Sequence, residues 1–320
     1  MIVPNALLMT TTPVKSSPSP KKFGHEKSIF DYLEDPKATG TLPSLKSVLS
    51  ELEILTQKSS TRLDEVTQLV QVDQGMSLRV LRMANSVYYA PSEPIMDVQD
   101  AILYIGLSTF RSAVASTRCI EKTCHIKQTV IDWKDFWTHA AGVGQITMEL
   151  ATHMKSADLP SESYYLMGLL HDIGKVVLAH VMPDEFNKIY LQAAREKRAP
   201  APLEMEYLGV EHGHLGAWYL EKQGIPLALC EPVRFHHSEV FGDKPHLKCA
   251  LLIKLADLLT LHYQLGQSGN YAEPSDPFIS DEWKTYLGFC QLSENDGKAL
   301  KQRLVDHAAR TSDLVRKILI

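Results

Sequence analysis

A chain of 320 residues, 44% hydrophobic and 22% charged, has enough apolar surface to bury one large core or two smaller ones. Its formal charge of −5 and pI near 6.2 supply no positive field for a nucleic-acid backbone, so nucleic acid is not an expected partner. The five cysteines form no CxxC pair and suit reduced thiols, and no apolar run reaches the roughly 20 residues of a membrane span. The opening MIVPNALLMTTTP has no basic stretch ahead of its short apolar run, so neither a secretory signal nor membrane contact is expected. The predicted location is the cytoplasm.

Residues 1–40, typified by SSPSPKKFGHEKS, show no apolar period and are expected to form a disordered tail. From Leu42 the pattern changes, and Leu45, Val48, Leu49, Leu52 and Leu55 recur at helical spacing. Thr61 and Asp64 read as a capping box ahead of Val66, Leu69 and Val70. Leu78, Leu81 and Met83 mark the next helix, which Pro91 and Pro94 stop. Asp97 is placed to cap a helix through Ala101, Ile102, Ile105 and Leu107 that continues past Gly106 towards Ala115. These segments make an N-terminal helical subdomain over residues 41–125.

A second helical subdomain is expected over 130–262. Phe136, Ala140, Val143, Ile146 and Leu150 give a long amphipathic helix with His139 beside the stripe. YYLMGLLHDIGKVVLAHV reads as one apolar helix with His171 and Asp172 in its middle. HGHLGAWYLEKQGIP reads as a helix ended by Gly224 and Pro226, and KCALLIKLADLLTLHY as one buried nearly all round with Asp257 inside it. After a Gly/Ser/Asn/Pro stretch from Gly266 to Pro277, helical periodicity through Leu300, Leu304, Ala308 and Leu314 predicts a C-terminal helical extension over 278–320. The fold class is therefore all-α.

The residues that can carry chemistry are His139, His171, Asp172, His212, His236, His237 and Asp257, each within or beside a predicted helix. Imidazole and carboxylate suit Mn, Fe, Zn or Ni, and one carboxylate can bridge two divalent ions about 3.5–4 Å apart. An ionised Asp in an apolar helix costs several kcal/mol unless it is paired, and a shared cation solves that for Asp172 and Asp257 together. Each residue alone has a plainer reading. His139 suits a hydrogen-bonded core position, Asp257 an ion pair with Lys254, His236 and His237 the negative end of a helix dipole, and Lys175 an exposed lysine. His153, His180, His214 and His262 read as packing or surface residues.

GLLHDIGK at 168–175 resembles the signature of the HD superfamily, in which the His and Asp ligate metal. LPSLKSVLSELEIL, VLRMANSVYYA and IMDVQDAILYIGL resemble the N-terminal helical part of the HDOD family, and the resemblance covers most of residues 41–262. It implies an HD-domain-like helical bundle in a bacterial signalling or regulatory protein. WTHA at 137–140 is similar to the upstream His position of the family. GVEHGHLGAWYL, RFHHS and LIKLADLL are similar to the HD-GYP phosphodiesterase segments that bear the remaining ligands, with His212 fitting better than His214. The implied metal set is thus His139, His171, Asp172, His212, His236, His237 and Asp257, holding one or two divalent transition metals (Fe, Mn, Zn or Ni). Lys175 is implied to touch a substrate phosphate or order the site, with Asp172 at the centre of any catalysis. The Gly-Tyr-Pro signature is absent, since the chain reads HHSEVFGDKPHLK, so cyclic-dinucleotide specificity is not implied.

Three functions fit these residues. The first is a regulatory module that acts through a signalling protein partner and binds metal without turnover. The alternative is a metal-dependent phosphohydrolase or phosphodiesterase acting on a nucleotide or phosphodiester. The third is a nucleotide or nucleic-acid sensor, for which the local basic group Arg79, Arg82, Arg111 and Arg118 is the only hint, and a solvated helix face explains those arginines more simply. Sequence sets neither the partner nor the oligomeric state.

Overall fold

A computed structural model describes residues 46–57, 62–86, 89–107, 110, 114, 129–154, 159, 161–239, 242 and 244–319. The expected tail over 1–40 lies outside them. The described residues are helical with no strand: α1 (Lys46–Gln57), α2 (Leu63–Gln71), α3 (Gln74–Ala84), α4 (Val98–Ile105), α5 (Trp133–Ala151), α6 (Ser161–Leu170), α7 (Ile173–Val181) and α8 (Pro183–Glu196). There follow α9 (Pro200–Leu208), α10 (His212–Lys222), α11 (Leu227–Phe235), α12 (Pro245–His262), a 3₁₀ turn (Pro277–Ile279), α13 (Asp281–Cys290) and α14 (Glu294–Leu319). No described helix is long and apolar enough to cross a membrane.

Local chemistry sets most of the helix ends. Asp73 accepts Met76 N at 2.7 Å, Asp97 accepts Asp100 N at 2.7 Å, and Asp132 accepts Lys134 N at 2.8 Å, each satisfying an orphan donor of a first turn. Thr61 of the expected capping box lies outside the described residues. At the start of α2, Arg62 occupies the cap position without a side-chain bond there, and its guanidinium pairs with Asp64. Asn85, ahead of either proline, closes α3: its Nδ2 donates to Leu81 O (3.0 Å) and Ile95 O (2.7 Å), and its Oδ1 accepts Ile95 N (2.8 Å). The helix expected to run on past Gly106 ends there, because Gly106 adopts φ 82°, a left-handed conformation no helix interior uses.

The largest departure from expectation falls in YYLMGLLHDIGKVVLAHV. It is two helices, α6 and α7, and His171 and Asp172 occupy the turn between them. Close backbone contacts fix both sides of that turn. A Cβ on Gly168 of α6 would lie 2.7 Å from Gly144 Cα and 2.8 Å from Val143 O of α5. One on Gly174 of α7 would lie 2.0 Å from His212 O and 2.8 Å from Gly216 N of α10. Helices can approach this closely only where side chains are missing, so the two crossings draw His139 on α5 and His212 on α10 towards the His171–Asp172 turn.

One buried apolar cluster extends from Val48 and Leu52 of α1 to Leu300 and Leu304 of α14. Polar ties cross it. Tyr165 OH donates to Gln71 O (3.0 Å), Ser163 Oγ to Met96 O (3.3 Å), Gln74 Nε2 to Leu169 O, and Tyr286 OH to Leu150 O (2.9 Å). The segment after α12 is ordered against α5, with Gln267 N donating to Asp135 O at 3.2 Å and Leu265 and Ser268 buried.

Candidate metal centre

Asp172 is the hub of the site. Its Oδ1 lies 3.0 Å from His212 Nε2 and 4.0 Å from His236 Nε2, and its Oδ2 lies 3.2 Å from His171 Nε2 and 2.7 Å from Lys175 Nζ. His139 Nε2 is 3.1 Å from Asp257 Oδ1, and His237 Nε2 is 2.8 Å from His212 Nε2. Two groups emerge, His139 with His171 and Asp172, and His212 with His236 and His237; within each, one donor atom per residue falls inside a 4.8 Å span. His139, His171, Asp172, His212 and His236 are all buried, whereas Asp257 and His237 keep partial exposure.

The outer ring nitrogens of three of these histidines are already committed. His171 Nδ1 donates to Gly168 O (2.7 Å), His236 Nδ1 to Val233 O (2.7 Å), and His212 Nδ1 faces Glu204 Oε2 (2.6 Å). In the neutral rings each inner Nε2 is therefore a lone pair, and it points at carboxylate lone pairs or at another imidazole. The buried Nε2 atoms of His171 and His236 have no hydrogen-bond partner. Inward lone pairs around a shared carboxylate repel one another unless a cation sits among them, and such a donor set fits a divalent transition metal.

The charges of His236 and His237 agree with that fit. Burial, with His171 and His212 beside it, pushes His236 down to about 3, and burial with His236 beside it puts His237 well below the usual imidazole range, so both rings are neutral. Burial opposes ionisation of Asp172, yet His171 and Lys175 beside it hold its carboxyl well below the usual range; burial likewise opposes ionisation of Asp257, and His139 lowers its carboxyl nonetheless. For His212 burial works against the charged form, but the Glu204 carboxylate prevails and raises it to about 9.

Each candidate site residue from the sequence has a definite place. Asp257 faces His139, while Lys254 donates to Ser238 O (3.1 Å) and pairs with Glu282 (3.0 Å). His214 turns away from the cluster to Glu211 at 3.1 Å. Lys175 is buried, not an exposed helix lysine, and bonds Asp172 together with Ser268 O and Oγ, both at 3.2 Å. Arg82 Nη1 donates to Gln223 Oε1 at 2.6 Å, and Arg111 and Arg118 lie outside the described residues. Two participants escaped the sequence reading, Glu204 beneath His212 and Ser268 beside Lys175. Glu204 sits in PLEMEYL like any solvated helix acid; its one hint is an acidic side chain directly after Leu203, on the helix face that turns inward.

A model of the HDOD domain matches residues 42–239. The chain belongs to the HDOD family. An uncharacterized protein of Treponema pallidum (strain Nichols) is 24% identical over 214 residues, 66% of this HDOD chain but 39% of that protein, so the chain spans about two fifths of the relative's length. Among solved structures, the MmoQ response regulator of Methylococcus capsulatus (strain Bath) superposes with a TM-score of 0.66 at 20% identity, over 84% of this chain and 99% of its own. An HDOD domain protein of Geobacter sulfurreducens gives 0.55 at 22%, over 90% and 96%, and a virulence factor of Campylobacter jejuni 0.61 at 18%, over 86% and 97%. At such identities the likeness establishes the shared helical fold.

Proposed function

We propose that this HDOD protein is a bacterial signalling module whose core binds one or two divalent transition metals and whose output passes through a protein partner. The carrying observation is the inward Nε2 lone pairs of His171 and His236, buried without partners around Asp172. His139, His171, Asp172 and Asp257 would hold one ion, and Asp172, His212, His236 and His237 a second. Such an ion neutralises the converging donors and fixes the α5, α6–α7, α10, α11 and α12 junction in one arrangement. Burial of most of these ligands, with Lys175 occupying Asp172, supports a binding role over turnover, because hydrolysis needs an accessible coordination position.

A second reading, hydrolysis of a phosphodiester or nucleotide, is favoured by the division of the cluster across the two oxygens of Asp172 and by the partial exposure of Asp257 and His237. When bound, metal would supply an activated water and polarise a phosphoryl oxygen. Lys175 would balance phosphate charge, and Asp172 would hold the centre together.

Elemental analysis of protein purified without chelator or affinity metal tests the proposal against the double variant His171→Ala/Asp172→Ala. One or two equivalents of metal in the wild type and none in a variant of unchanged helix content are expected. No metal in the wild type after reconstitution with Mn, Fe, Zn or Ni would overturn it. Turnover of bis(p-nitrophenyl) phosphate or a nucleotide by loaded wild type, absent in the variant, would move the reading to hydrolysis.

A further inference from the structure

Glu204 is a fully buried carboxylate whose two oxygens take three donors. Oε2 receives the His212 backbone N–H at 2.7 Å and faces His212 Nδ1 at 2.6 Å, and Oε1 receives Tyr190 OH at 2.6 Å. Tyr190 is itself fully buried and stacks on Phe186, with ring centroids 4.2 Å apart, so the clamp beneath Glu204 is rigid. Glu211 at the cap position of α10 makes no side-chain bond to a backbone N–H of the helix, and the first N–H of that helix goes to Glu204 instead. One oxygen thus fixes both where α10 starts and how its first side chain is turned.

The other two supported rings of the centre, His171 and His236, rest on backbone carbonyls. Of these three rings, His212 alone has its Nδ1 on a carboxylate. An ionised carboxylate is acceptor-only, so it admits Nδ1–H and excludes the neutral tautomer that would carry its proton on Nε2. It also makes the ring a stronger electron donor than a carbonyl would. We propose that Glu204, held by Tyr190, is the positioning residue that presents His212 Nε2 to a metal at the Asp172–His236–His237 side of the centre. The inference rests on the metal-binding reading above and adds to it that this half of the centre depends on a residue touching no metal.

The test is metal affinity of the full chain, read by competition of Zn(II) or Mn(II) with a chelating dye and by the ligand-field spectrum of Co(II), alongside the thermal midpoint of metal-free protein. Glu204→Gln is the decisive variant, since it keeps the shape and an acceptor for the α10 N–H while losing the charge and the strict tautomer preference. Weaker binding by about 10- to 100-fold is expected, with an altered Co(II) spectrum and a metal-free midpoint above that of Glu204→Ala. Tyr190→Phe should weaken binding in the same direction by less, and Glu204→Ala should also lower the midpoint. Wild-type affinity and spectrum in Glu204→Gln would overturn the proposal and leave Glu204 a helix cap. A wild type that takes up no metal would instead overturn the metal reading, and this one with it.

Discussion

Replacing Gly174 with alanine should damage fold and centre together. The added Cβ would lie 2.0 Å from His212 O and 2.8 Å from Gly216 N, both backbone atoms that no side-chain rotation can move aside. Ordinary carbon contacts need about 3.5 Å, so α7 and α10 must part by about 1.5 Å at this point. Forced overpacking of this kind costs about 1–3 kcal/mol, and the upper end applies where backbone meets backbone. For a chain of this size 3 kcal/mol lowers the melting midpoint by roughly 5 °C. The same displacement carries His212 away from Asp172, now 3.0 Å distant, by far more than the roughly 0.2 Å tolerated by metal–ligand distances. Calorimetry of metal-free protein and elemental analysis of reconstituted protein measure the two effects. Gly216→Ala, whose Cβ would be 2.9 Å from Gly174 N and 3.0 Å from Ile173 Cγ2, should behave similarly but more mildly. A Gly174→Ala protein with wild-type midpoint and metal content would refute the claim that this crossing sets the centre.

Asp172→Ala leaves the Lys175 ammonium buried against Ser268 alone, and breaking a buried pair in this way should cost about 3–5 kcal/mol in urea unfolding of metal-free protein. Removing Lys175 as well, as Lys175→Met, should recover part of that loss; a double variant less stable than the single one would contradict the pairing. Asn85→Ala deletes three bonds to Leu81 and Ile95 and should cost about 1–3 kcal/mol, read by the same unfolding experiment. Burial pushes the Cys230 thiol up to about 12, and its Sγ donates to Ile225 O at 3.4 Å, so iodoacetamide at pH 8 should modify Cys230 only after denaturation, as peptide mapping would reveal.

The helices of this protein are legible because their cores are striped. Val48 and Leu52, Val66 and Val70, Phe136 and Ala140 recur at the spacing that buries them, and Asp97 caps α4 by the local chemistry its position predicts. The break at His171–Asp172 is not legible, since apolar residues continue on both sides and mask the change of direction, which is imposed by contacts of Gly168 and Gly174 with other helices. Glu204 and Ser268 are hidden for a related reason. An acid in a helix and a serine in a Gly-rich stretch carry no periodic signal, and only tertiary burial gives them partners. The candidate donors could be named residue by residue, but the outward Nδ1 bonds that turn Nε2 of His171, His212 and His236 inward depend on two carbonyls and the Glu204 carboxylate, which only the assembled fold brings to them.

Gln74 donates to the carbonyl of Leu169, two residues before His171, and both it and its neighbour Asp73 are fully buried. The first half of the chain is thus fastened to the dyad turn by a strut two peptide units long. Any tightening of that turn tugs on the start of α3, and through the Arg82–Gln223 bond the far end of α3 leans on the end of α10, whose first residue is His212. α3 is thus tied at its start to the dyad turn and near its end to the end of α10.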